Sequence, residues 1–130
     1  MKDISTSQDV ELLVKTFYKK VVENELLAPH FAGIDFEAHF PRMIAFWEFI
    51  LLDKEGFKGN VFDKHSQANA QLKIDETHFK QWLFYFHETV NQLFEGEKAL
   101  FAKQRADLLG FTFQSKLKNI NSIKIITNGE

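Results

Sequence analysis

The sequence predicts an all-α fold with four substantial helices, one corner and one long irregular segment. Apolar residues recur at intervals of three and four over four stretches, which is the spacing of one helix face. With 130 residues the chain is long enough for one hydrophobic core. We therefore expect a single domain over residues 1–130, with flexible tails at 1–7 and 121–130.

The composition narrows the possible functions. There are 15 Phe against 2 Trp and 2 Tyr. Aromatic rings can line a flat apolar ligand, although the count alone favours a core that is simply filled with Phe. The net charge of −2 indicates no nucleic-acid partner, and the absence of Cys excludes disulfides, thiolate metal sites and a Cys nucleophile. No apolar signal core or membrane-length run is present, so we expect a cytoplasmic protein without a membrane partner.

The first helix is predicted from Ser7, a candidate N-cap. Its apolar stripe consists of Val10, Leu13, Val14, Phe17, Tyr18, Val21 and Val22. Tyr18 lies at the edge of this stripe, and a buried phenol needs a hydrogen-bond partner. A core tyrosine bonded to a backbone carbonyl is the alternative to a functional role.

A corner follows, where Pro29 stops regular helix and Phe31 is the expected buried anchor. Asp35 is a candidate cap for the second helix. One face of that helix carries His39, Met43, Phe46 and Ile50, with Trp47 and Leu51 flanking it. Pro41 suits a first turn and disturbs a helix interior, so the helix is expected to start later or to bend near His39. An ordinary core face with His39 at its exposed end is the alternative.

The segment after the second helix contains two glycines, Gly56 and Gly59, and little periodicity through Gln71. It presents one histidine, His65, in Val61-Phe62-Asp63-Lys64-His65. A ligand could organise such a segment, but these residues taken alone favour a surface histidine.

The third helix is predicted after a cap at Asp75 or Thr77. Its apolar positions are Phe79, Trp82, Leu83, Phe86, Val90, Leu93 and Phe94. Gly96 ends the pattern, and a last helix begins near Glu97 or Lys98 with Ala102, Ala106, Leu109, Phe113, Leu117 and Ile120 inward. Because the connection is short, the two helices should pair antiparallel, and Gly110 indicates close packing of another helix.

No local catalytic motif is present: there is no glycine-rich phosphate loop and no HExxH. The five histidines are His30, His39, His65, His78 and His87, and none are i, i+4 neighbours. A local two-histidine metal face is therefore not expected. One histidine bound to the iron of a macrocycle, which supplies four further ligands, fits a Phe-rich chain better.

Several segments together resemble the truncated haemoglobins, and within them the third group found in bacteria. The segments are Phe17-Tyr18, Leu27-Ala28-Pro29-His30-Phe31, Ala38-His39 with Phe46-Trp47, Phe57-Lys58-Gly59-Asn60 with Lys64-His65, His78 through Phe86, and Leu93 through Ala99. They run in order from the first helix to the last. The resemblance implies a truncated globin in which two helices pack over two around haem b.

The resemblance also implies roles for individual residues. His65 matches the proximal histidine that ligates the iron, whereas His78 matches a histidine that is not a ligand. On the distal side, Tyr18 and Trp82 match hydrogen-bond donors to the gas ligand, and His39 matches a position facing it. Each donated bond is worth about 1 kcal/mol in an apolar pocket.

The remaining implied contacts are with the macrocycle, from Phe31, Met43, Phe46 and Trp47, with Met43 also facing the distal side. The implied function is reversible binding of O2, and also of NO or CO, with oxygen transport or nitric oxide detoxification as roles. A haem enzyme that performs NO dioxygenation or reduces peroxide, with a reductase as partner, is the alternative. A cofactor-free helical module is a third possibility, and we expect a monomer or a weak dimer.

Overall fold

The computed structural model of the protein describes residues 1–54 and 76–128, and of residues 116–128 it describes the backbone alone. These residues form four α-helices and a short 3₁₀ helix: α1 (Ser7–Glu23), the 3₁₀ helix (Ala28–Phe31), α2 (Phe36–Leu52), α3 (Glu76–Leu93) and α4 (Glu97–Asn128). The described residues contain no strand, so the predicted all-α class is confirmed. His65 lies outside the described residues.

The start of α1 is fixed by a reciprocal cap. Thr6 is the N-cap, one residue before the predicted Ser7, and its hydroxyl accepts from the backbone N–H of Asp9. The Asp9 carboxylate in turn accepts from the backbone N–H of Thr6 at 3.0 Å and pairs with Lys2. Burial alone raises the pKa of Asp9, but these donated bonds outweigh it and hold the pKa well below its usual range. This Thr-x-x-Asp pattern resembles a capping box, which explains why the cap is at Thr6.

The first residues of the chain pack against the helices instead of forming the expected flexible tail. Ile4 is fully buried in the core. The Asp3 carboxylate accepts from the backbone N–H groups of Lys98 and Ala99, each at 2.9 Å, and so caps the start of α4. Gly96, with φ at +143°, makes the sharp turn before that cap. This contact joins the N-terminal segment to the start of α4, 95 residues further along the chain.

The 3₁₀ helix and α2 differ in detail from the prediction. Leu27 is the buried residue of the corner, while the expected anchor Phe31 is half-buried. Asp35 caps α2 as predicted, accepting from the backbone N–H of Glu37 at 3.1 Å. Helix α2 begins directly at Phe36 and carries Pro41 inside it, so a later start is excluded.

The buried stripe of α2 is Met43, Trp47 and Leu51, which lie four residues apart. Ile50 and Phe46 are half-buried, so the buried face is rotated toward the two residues predicted to flank it. In α1, Val22 is likewise more exposed than its place in the predicted stripe suggested.

Helices α3 and α4 are antiparallel, as predicted. The imidazole of His87 pairs with Asp107 at 2.7 Å, and Lys103 donates to Asn91 at 2.8 Å. Gly110 faces Leu83, whose Cδ1 would lie 3.1 Å from an added Cβ, so the glycine does mark close helix packing. Helix α4 starts at Glu97 and continues through Asn128, beyond the expected end near residue 120.

The four helices pack as two pairs. Helix α1 contacts α2 and α3, α4 contacts α3 and α2, and one hydrophobic core lies between them. Within residues 1–54 and 76–128, no helix combines the length and the apolarity that crossing a membrane requires.

Candidate functional site

Helix α1 holds Tyr18 at the centre of a group of aromatic rings. Its side chain is 6% exposed. The ring contacts come from α1 itself, the 3₁₀ helix and the first turns of α2: Phe17 at 5.0 Å, His39 at 5.5 Å, Phe31 and Phe36 at 5.8 Å and Phe40 at 6.1 Å between centroids. Burial raises the pKa of Tyr18 far above its ordinary value. The phenol is therefore a neutral hydrogen-bond donor over the whole physiological range.

Helix α2 brings four predicted residues to this site. His39 and Met43 are one turn apart, and Phe46 follows on the same side. The phenyl ring of Phe46 meets the indole of Trp47 edge to face, at 5.4 Å between centroids. His39 contacts the Tyr18 ring, so Pro41, two residues later, does not turn this histidine away from the first helix. The side chain of His39 is half-buried, whereas Met43 and Trp47 are buried.

Helix α3 contributes Trp82, whose ring stands edge-on to Phe17 at 5.4 Å and stacks over Phe86 at 6.0 Å with an interplanar angle of 17°. Its indole Nε1 is buried and has no hydrogen-bond partner among the described residues. A buried N–H group without a partner costs about 1–3 kcal/mol, so native structures rarely retain one without a reason. A bound group that accepts a hydrogen bond from Trp82 would supply that reason.

Five of the predicted residues line a single cavity of about 20 Å³, which is room for one small molecule. They are Tyr18, Met43, Phe46, Trp47 and Trp82. The polar hydrogens among these five side chains belong to the phenol and the two indoles, and none of the five is charged at neutral pH. The cavity therefore suits a small ligand that accepts hydrogen bonds.

The same cavity is lined by residues that the sequence analysis had assigned only to the core: Val14, Phe17, Phe86, Leu109 and Phe113. Their spacing predicted an inward face, but helix periodicity cannot distinguish a residue packed in the core from one that lines a cavity. Phe17 and Phe86 are exceptions, since they also stand in segments of the resemblance, Phe17-Tyr18 and His78 through Phe86.

The predicted residues Phe31 and His39 do not line the cavity but contact Tyr18, which does. The histidines His30 and His78 meet edge to face at 4.6 Å, joining the 3₁₀ helix to the start of α3. No cluster of three or more metal-ligating side chains occurs in the part of the chain that is described. The predicted iron ligand, His65, lies outside that part.

An all-α protein with these helix pairs and this connectivity has the fold of a truncated globin, as predicted. No protein-family model matches the chain. It is 25% identical over 116 residues to a group 3 truncated haemoglobin of Campylobacter jejuni, and this match covers 85% of the chain and 89% of the relative. The crystal structure of a group III truncated haemoglobin from Campylobacter jejuni superposes with a TM-score of 0.78 at 26% identity, covering 90% of this chain and 95% of that one. The resemblance found in the sequence is thus confirmed, and the chain has the fold of the group III truncated haemoglobins.

Proposed function

We propose that the chain binds haem b through His65 and holds a diatomic gas in the cavity between Tyr18 and Trp82. O2 is the expected ligand, and NO and CO should bind as well. The observation that carries this proposal is the buried Nε1 of Trp82, which lacks a partner in the described part of the chain. The relatives named above support haem as the group that brings the gas there.

The chemistry of the described site fits haem and a gas. A flat apolar macrocycle suits the aromatic and thioether side chains of Phe46, Trp47 and Met43, and these also keep water away. The gas, in contrast, would gain from the hydrogen-bond donors Tyr18 and Trp82. Haem, when bound, would supply the iron that holds the gas.

The donors are preorganised before any ligand arrives. Tyr18 is held by rings from three elements, and its raised pKa keeps the hydroxyl protonated. Trp82 is held between Phe17 and Phe86. Both groups thus donate without ordering new side chains, which is the condition under which a hydrogen bond contributes most.

Of the histidines, we assign His65 as the iron ligand because the resemblance places it at the proximal position. It should bind as neutral imidazole, with its second nitrogen donating to a carbonyl or an acid. His78 instead meets His30 at the edge of the 3₁₀ helix, which gives it a packing role. The two assignments can be separated experimentally.

The test is to express the chain with ample haem and to compare the wild type with His65→Ala and His78→Ala. We expect a red wild-type protein with a Soret band, the same band in His78→Ala, and a weak or shifted band in His65→Ala. A normal haem spectrum in His65→Ala contradicts the ligand assignment. A folded but colourless wild type contradicts the proposal as a whole and favours a cofactor-free module.

The enzymatic alternatives, NO dioxygenation and peroxide reduction, stay predictions from the resemblance. One turnover of NO is expected of most oxygenated globins, so sustained turnover with a supplied reductant is the measurement that counts. A reductase partner and a cytoplasmic location likewise stay predictions.

A further inference from the structure

Helix α4 carries an apolar stripe on the side that faces away from the core. We call Leu100, Phe101, Leu108 and Phe111 the α4 stripe; their exposed fractions are 53%, 43%, 51% and 68%. At 100° per residue these four positions fall within roughly a third of the helix circumference. The opposite side of the helix holds the fully buried Ala102 and Ala106. The helix is thus apolar on two faces, and within the described part of the chain the core is built on the face that carries Ala102 and Ala106.

The neighbouring helix leaves the α4 stripe uncovered. Helix α3 engages α4 along one flank, through the pairs His87–Asp107 and Asn91–Lys103. These contacts hold Asp107 and Lys103 beside the stripe, so its centre is free of charge. Gln104 is the one polar residue between Phe101 and Leu108 on this face.

The pattern of the α4 stripe nearly reads the same in both directions along the helix. When two copies pack antiparallel with Leu100 opposite Phe111 of the second copy, Leu108 falls between Phe101 and Gln104 of that copy. The two-fold operation repeats both contacts, which is the self-complementarity that an isologous dimer requires. A partner with a different sequence is not needed to complete this pattern.

The area sets the strength of the contact. Each of the four side chains exposes on the order of 100 Å², so two copies would bury roughly 800 Å² from these residues alone and more with Gln104 and the flanks. Specific interfaces bury at least about 1,000 Å² in total. The area estimated for the α4 stripe alone is smaller, so the expected dimer is weak and concentration-dependent. A membrane surface is a poorer occupant, because such helices need a basic polar face and this stripe is flanked by Asp107 as well as Lys103.

We propose that the α4 stripe is a docking surface for a second copy of the chain, with the two α4 helices antiparallel. The haem-loaded protein is examined by sedimentation over concentrations from about 10 µM to about 1 mM, a range suited to a weak interface. The mean mass should rise from 15.2 kDa toward twice that value. A mass that stays at one chain over the whole range overturns the proposal.

Single substitutions locate the surface. Phe111→Glu places a charge in the stripe, and dimerisation should need at least about tenfold higher concentration, since an unpaired charge in a desolvated contact is costly. Phe49→Glu is the matched control, because Phe49 in α2 is 53% exposed and lies outside the stripe. Loss of the dimer in Phe49→Glu with no change in Phe111→Glu overturns the assignment of the face.

A pair of charges tests the antiparallel arrangement. Leu100→Glu and Phe111→Lys should each weaken self-association, and mixing the two variants should restore a dimer, because position 100 of one copy then meets position 111 of the other. No recovery on mixing rules out this arrangement. Binding of the monomer to anionic lipid vesicles that Phe111→Glu abolishes, without any dimer, would assign the face to a membrane and overturn the proposal.

Discussion

The imidazole ring of His39 meets the phenol ring of Tyr18 edge to face, with centroids 5.5 Å apart and ring planes at 84°. This contact links the first turns of α2 to the last third of α1. It holds the phenol from one side while the ring of Phe31, at 5.8 Å, holds it from another. The orientation of the donor is therefore set by these ring contacts.

Removing that hydroxyl tests its role directly. In Tyr18→Phe, loss of one hydrogen bond of about 1 kcal/mol should speed O2 dissociation about five- to tenfold. Stopped-flow displacement of O2 by CO measures this rate. Tyr85→Phe is the matched control, since the Tyr85 hydroxyl accepts from Asn24 at 2.9 Å, away from the cavity. Equal rates in wild type and Tyr18→Phe would remove Tyr18 as a donor.

The buried phenol also predicts an alkaline limit to stability. Burial raises the folded-state pKa of Tyr18 above the value of about 10 in the unfolded chain. Its contribution to stability is therefore fully present below about pH 10 and is lost as the pH rises through the folded-state pKa. Absorbance at 295 nm should show one phenol that ionises only as the protein unfolds. Persistence of that late step in Tyr18→Phe contradicts the assignment.

Trp82→Phe removes the buried indole N–H and keeps an aromatic ring. O2 dissociation should be faster by about five- to tenfold, and the infrared band of bound CO should move to higher frequency as a donor is lost. Val90→Ala serves as the control for packing, because Val90 is fully buried in the same helix and does not line the cavity. It should lower stability and leave the CO band in place. An unmoved band in Trp82→Phe shows that the indole does not reach the gas.

The cap that Asp3 forms at the start of α4 predicts a loss of stability when its carboxylate is removed. Asp3→Ala should lower the free energy of unfolding by about 1 kcal/mol, the usual value of a helix cap. Burial alone raises the pKa of Asp3, but the N–H groups of Lys98, Ala99 and Ile4 outweigh it and the net shift is downward. The stabilisation is thus present above about pH 4 and fades as the pH falls through the folded-state pKa. Urea unfolding of wild type and Asp3→Ala at pH 7 and pH 3 measures the difference in their free energies of unfolding. A difference that is larger at pH 3 than at pH 7 argues against the Asp3 carboxylate as its cause.

We predict that any side chain introduced at position 96 destabilises the protein. The φ of +143° at Gly96 is open to glycine, and an added Cβ would lie 2.5 Å from Cγ of Asp3. Gly96→Ala should therefore cost about 1–3 kcal/mol, measured by thermal or urea unfolding. Gly33→Ala is the control, because an added Cβ there meets nothing within 4 Å and should change stability by less than about 0.5 kcal/mol. Equal effects of the two substitutions would contradict the assigned clash.

Much of the fold could be predicted because its signals are local. The caps and breaks at Asp35 and Gly96 are read from single residues, and Gly110 correctly marked a close helix approach. The shift of the first cap from Ser7 to Thr6, and the packing of Ile4 in the core, were missed. The position of the cap depends on the reciprocal hydrogen bonds between Thr6 and Asp9. The burial of Ile4 depends on contacts with residues distant in sequence. Helix periodicity measures neither of these.

The sequence by itself determined that this chain is helical, where its helices lie, and which segments resemble a truncated haemoglobin. The spacing of apolar residues and the order of the motifs are properties of the linear sequence, so they can be identified without a structure. The tertiary structure decided that Trp82 from α3 joins Tyr18 from α1 at one apolar cavity, and that its indole N–H is left without a partner among the described residues. It also decided that α4 exposes a second apolar face. Both depend on the angles at which helices pack, which are set by side-chain shape across the whole core.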